Sequence, residues 1–122
     1  MYSNALQAYE QASKTTNSGR EIEAIVLTKA AERLVDCRNN WEREDRDVRL
    51  DEALKFNQQI WTIFQTELGK EENPLPKTLK NNMLKLSTFV DKRILESMAS
   101  PAPEKLTAII DINRNIAAGL RS

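Results

Sequence analysis

The chain has no histidine and a single cysteine, Cys37. Without imidazole there is no histidine-ligated zinc and no Ser-His-Asp or Cys-His nucleophile, and one thiol closes no intrachain disulfide. A surplus of either charge is missing as well. The 18 basic residues balance 18 acidic ones, so no general field drives the chain toward phosphate backbones, and no direct nucleic-acid partner is expected. No run approaches the roughly 20 apolar residues of a bilayer span, and the opening MYSNALQAYEQASK lacks a basic stretch ahead of an apolar core. Membrane insertion is not expected, and the chain reads as cytoplasmic. Its carboxylates are many, but none is paired in an apolar setting that would mark general acid chemistry, and glycine-rich phosphate loops and metal-ligand clusters are absent. The expectation is a protein that is not an enzyme and needs no cofactor.

What the chain does have is helical periodicity. Its 122 residues suit one domain spanning 1–122, burying about two-thirds of the unfolded surface. The spacing predicts an all-α, compact bundle of about five helices, near residues 3–14, 19–42, 48–68, 76–98 and 103–120. The central stretch, LDEALKFNQQIWTIFQTEL over 50–68, organises the rest. At about 100° per residue, Leu50, Ala53, Leu54, Asn57, Ile60, Trp61, Phe64 and Leu68 share one arc, on which Trp61 is expected to be core. Phe56 and Ile63 widen that arc to about half the circumference, so this helix must pack against more than one neighbour.

Around it, Tyr2, Ala5, Leu6, Tyr9 and Ala12 recur at helical spacing, in a segment too short to be stable alone. Ser18 and Glu21 form a capping box for the next helix, whose inner ridge is Ile22, Val26, Ala30, Leu34, Cys37 and Trp41. The run EREDRD over 42–47 reads as a solvated corner, with Asp45 or Asp47 placed to cap the central helix. Gly69 and the prolines of KEENPLP break the chain before a helix with Leu79, Met83, Leu86, Val90 and Ile94 inward, flanked by Phe89. Leu84, Leu95 and Met98 lie off that ridge. A second elbow, SPAP over 100–103, precedes the last helix.

That last helix repeats the central pattern at an offset of 56 residues, which aligns Asn57 with Asn113. Each asparagine sits amid apolar neighbours, where an unpaired amide costs about 1–3 kcal/mol. Either neighbouring backbone or the other asparagine satisfies it, or it lies under a groove that a partner's backbone enters.

Several stretches together resemble the alphaproteobacterial flagellar biosynthesis regulator FlaF family. They are NALQAYEQA (4–12), SGREIEAIVLTKAAERL (18–34), LDEALKFNQQIWTIF (50–64), NPLP followed by FVDKR (89–93), and APEKLTAIIDINRNIAAGL (102–120). The resemblance implies a small cytosolic helical protein that promotes flagellin production and export. Family members work opposite the regulator FlbT, which restrains translation of flagellin mRNA, and are thought to bind flagellin as an export chaperone. Flagellin is therefore the expected partner and FlbT a second one. The alternative is a post-transcriptional regulator of flagellin translation that acts with or against FlbT. A third reading is an oligomerising structural protein, its oligomeric state left open.

A helix-in-groove mode would suit flagellin's amphipathic segments. The candidate contacts are Arg20 and Glu23, which match the family's start of the second helix; Phe56 and Ile63, beside the central arc; Leu84, Leu95 and Met98, off the fourth helix's ridge; and Asn57 and Asn113. Tyr2, Leu6 and Tyr9 could fill the groove in the free protein. Phe56→Asp or Leu95→Asp is expected to weaken the complex without unfolding the bundle.

Overall fold

Apolar side chains recurring every three or four residues produce helices here because each helix then has a stripe to bury. The computed structural model describes Ala5, Gln7 and residues 19–121. Among the described residues it has four α-helices: α1 (Gly19–Asn39), α2 (Arg46–Leu68), α3 (Lys77–Ala99) and α4 (Leu106–Arg121). A single 3-10 turn, Pro103–Lys105, precedes α4. The fold is all-α as expected, with four complete helices rather than about five. The expected helix over 3–14 lies outside the described residues apart from Ala5 and Gln7, both helical, with Ala5 buried. The Ser18 cap and the aromatic residues Tyr2 and Tyr9 also lie outside them.

Contacts between α1 and α2 pair rising numbers with falling ones: Ala30 with Asn57, Arg33 with Phe56, Asp36 with Arg49. The two helices are therefore antiparallel. So are α1 and α4, where Arg38 meets Thr107 and Arg121 meets Thr28. Helix α1 lies between α2 and α4, and α3 packs chiefly along α2 with a lighter contact to α4. Ala24, Ala30 and Ala31, all fully buried, keep α1 slim where two neighbours press on it. The core holds Leu27, Leu34, Leu54, Ile60, Trp61, Phe64, Met83, Ile94, Leu106, Ile109 and Ile110. Trp61 and Phe64 meet edge to face, ring centroids 5.8 Å apart, a favoured aromatic geometry.

Three boundaries differ from the sequence reading. Helix α1 stops at Asn39, not near residue 42, because the Asn40 side chain bonds back to the Asp36 carbonyl at 2.8 Å and draws the chain into a turn. Asp45 occupies the N-cap position of α2 but makes no capping bond. Its carboxylate is held instead by Arg43 at 3.0 Å and faces Arg49 at 4.0 Å. At the last elbow Pro103 opens a 3-10 turn, and α-helix begins only at Leu106. Between α2 and α3, Asn73 donates to the Glu67 carbonyl at 3.1 Å and accepts from the Leu75 amide at 3.0 Å. Those two bonds press Leu75 into the core.

Candidate partner-binding surface

The nine candidate residues fall into three places. Asn57 and Asn113 are wholly buried and bonded to each other. Asn113 Nδ2 donates to Asn57 Oδ1 at 2.7 Å, and Asn57 Nδ2 donates to the carbonyls of Ala30 (3.1 Å) and Ala53 (2.9 Å). Trp61 Nε1, which can only donate, gives its proton to Asn113 Oδ1 at 2.9 Å and so fixes the orientation of both amides. Of the two readings left open by the sequence, internal satisfaction is the one found. Both side chains are closed off from the surface, and the expectation of partner contact at Asn57 and Asn113 is corrected accordingly.

The second place is the seam between α1 and α2. Phe56 is only 2% exposed, with the Arg33 guanidinium 3.9 Å from its ring centroid, so a side chain of α1 covers it. It does not open a groove. Ile63 is half-buried and packs on the core. Glu23 is 5% exposed, and its Oε2 has no hydrogen-bond partner. Burial, and then the nearby Glu67 carboxylate, push its carboxyl up to about 7, with Arg20 opposing the shift. Glu23 is therefore a buried acid rather than an exposed contact. Arg20 is exposed in the first turn of α1.

The third place is the flank of α3. Leu95 is 57% exposed, and Leu84 and Met98 are half-buried beside it. At about 100° per residue the three share an arc of about 60° next to the buried ridge of Met83, Ser87, Val90, Ile94 and Ser97. Ser87 and Ser97 satisfy themselves on the carbonyls of Leu84 and Arg93, which lets a polar ridge bury without partners from α2. The sequence reading brought Leu84, Leu95 and Met98 together correctly as residues off the ridge of this helix. It missed Phe89, placed beside the core and in fact 40% exposed with Arg93 stacked 5.1 Å from its ring centroid. It also missed Val48, at the α1–α2 corner, 63% exposed. Phe89 is about 120° round α3 from the centre of the buried ridge, and that angle was the available signal.

An open hollow of about 340 Å³ lies between α1 and the start of α2, walled by Arg33, Asp36, Asp45, Arg49 and Glu52, with Cys37 and Ala53 inside. The Arg49 guanidinium is already paired with Asp36. Cys37 is buried, and burial, Asp45 and Glu52 raise its thiol above the ordinary range. Among the described residues no group of His, Cys, Asp or Glu could hold a metal ion, and no helix is long and apolar enough to cross a membrane.

Fold and surface together define a small all-α bundle in which, among the described residues, the accessible leucine and methionine side chains gather along α3. The family model of flagellar protein FlaF matches residues 5–120, and the chain belongs to that family. The family sets its role in the biogenesis of the flagellum. No curated protein and no solved structure matches the chain.

Proposed function

We propose that this protein binds flagellin in the cytoplasm and promotes its synthesis and export as a chaperone. The observation that carries the reading is the stripe of Leu84, Leu95 and Met98 on α3, in which Leu95 is 57% exposed and its two neighbours are only half-buried. Flagellar family membership supplies the setting. An amphipathic helix can lay its apolar face on such a stripe, reading anchors at i, i+3, i+4 and i+7, and a half-covered stripe gives modest affinity that permits release. The step is binding alone, with no reaction and no cofactor.

Size-exclusion chromatography of the full chain mixed with purified flagellin tests it. A stoichiometric complex is expected, along with reduced flagellin secretion in cells carrying Leu95→Asp. If no complex forms, and flagellin translation still depends on this protein with export blocked, its role lies with FlbT and the flagellin message.

A further inference from the structure

We infer that the outer face of α3 receives an acidic amphipathic helix. The inference rests on the reading that the α3 stripe is the partner surface and adds the chemistry of what docks there. Although the chain is neutral as a whole, α3 is not: it carries Lys77, Lys80, Lys85, Lys92 and Arg93 against Asp91 and Glu96. Both carboxylates are engaged, Asp91 by Gln65 Nε2 at 3.3 Å and Glu96 by Arg93 at 3.4 Å. The ammonium groups of the four lysines have no ion pair or hydrogen bond among the described residues. Their placement follows the stripe. On the helical wheel Lys77 and Lys80 sit at its N-terminal end, and Lys85 and Lys92 lie about 60–80° beyond Leu95 on the solvent side.

A band of Leu84, Leu95 and Met98 bordered by unpaired lysines, its one carboxylate, Asp91, held by Gln65, is complementary to a helix with leucine-type anchors flanked by Glu or Asp. The lysine stems extend the apolar contact and the ammonium groups meet carboxylates at its rim. Two other occupants fit less well. A symmetric dimer through this face would set one surplus of positive charge against its copy. A nucleic acid would use the lysines but gain nothing from a leucine 57% exposed beside them.

The test titrates the isotope-labelled full chain with two synthetic amphipathic helices that share one leucine stripe, one flanked by Glu and the other by Lys. The Glu-flanked peptide is expected to shift the resonances of Leu84, Leu95 and Met98, and to bind at least about tenfold tighter than its Lys-flanked twin at low salt. The double variant Lys85→Glu/Lys92→Glu should abolish that preference while keeping the helical spectrum. Equal binding of the two peptides, shifts confined to another face, or stronger perturbation of the same resonances by single-stranded RNA would each overturn the inference. A flagellin titration separates the two readings. Flagellin binding without any acidic preference among the peptides removes this inference alone, and acidic-peptide docking without flagellin binding removes the flagellin reading alone.

Discussion

Asn57 and Asn113 lie 56 residues apart in sequence and share a 2.7 Å hydrogen bond at the centre of the bundle. Through it, and through the Trp61 and Ala30 bonds on either side, α4, α2 and α1 are joined by one buried polar chain with alternating donors and acceptors. Such a chain specifies register as well as stability. Sliding α4 by one residue along α2 would orphan the Trp61 N–H, Asn113 and Asn57 at once, each wholly buried.

Trp61→Phe removes the donor and leaves Asn113 Oδ1 unsatisfied, so it should cost about 1–3 kcal/mol. Asn113→Leu should cost at least as much, because it strands both the Trp61 N–H and Asn57 Oδ1. In the double variant the stranded indole and the stranded Asn113 oxygen both disappear. Its destabilisation should therefore fall short of the sum of the singles by at least about 1 kcal/mol. Urea unfolding of the four proteins measures this, and strict additivity would show that the chain of bonds is not coupled.

Glu23 makes stability depend on pH. Its carboxyl is raised from 4.5 to about 7 by burial first and by Glu67 second. The native state therefore holds a proton between those values that the unfolded chain has released. Stability must then fall as pH rises through that window: the penalty is absent below about 4.5 and complete above about 7. A shift of this size corresponds to on the order of 3 kcal/mol. Glu23→Gln, neutral at every pH, should be more stable than the parent at pH 8 and nearly equal to it at pH 4. Parallel unfolding curves for the two proteins across that range would show that Glu23 is not the source.

The extent to which this was legible in the sequence follows from where each residue gets its neighbours. The stripe of α2 and the buried position of Trp61 depend only on the helix itself, and periodicity shows them. The fate of Phe56 depends on which residue of α1 lies across from it. Arg33 is a long charged side chain that a sequence reading assigns to solvent, yet its guanidinium covers the ring. Glu23 was masked by the same habit, since a glutamate near the start of a helix reads as exposed to solvent. Leu84, Leu95 and Met98 could be grouped by angle alone because their place beside the ridge depends only on the helix itself. The lysines of α3 disappeared into a chain whose overall charge is zero, and that their ammonium groups stay unpaired beside the stripe shows only in the fold.

Cys37 should be chemically quiet. It is 4% exposed, and the causes that raise its thiol all disfavour the reactive thiolate. Its modification by a disulfide reagent at neutral pH should be at least about a hundredfold slower than that of a free cysteine, and should recover in denaturant. Rapid modification of the native protein would mean that the hollow beside it opens to the floor.

Two aspartate substitutions discriminate between surface and core. Leu95 is more than half exposed on α3, so Leu95→Asp should leave stability within about 0.5 kcal/mol of the parent. In the proposed mode it also sets a carboxylate against the acidic partner, and binding to flagellin should drop by about tenfold or more. Phe56 reads from the sequence as an equivalent probe, and the structure removes it from that role. At 2% exposed beneath Arg33, Phe56→Asp buries a carboxylate where a ring packed and should cost more than about 4 kcal/mol. Circular dichroism melting separates the pair before any binding is measured. A folded Phe56→Asp that releases flagellin, together with a Leu95→Asp that still binds it, would move the partner surface from α3 to the seam between α1 and α2.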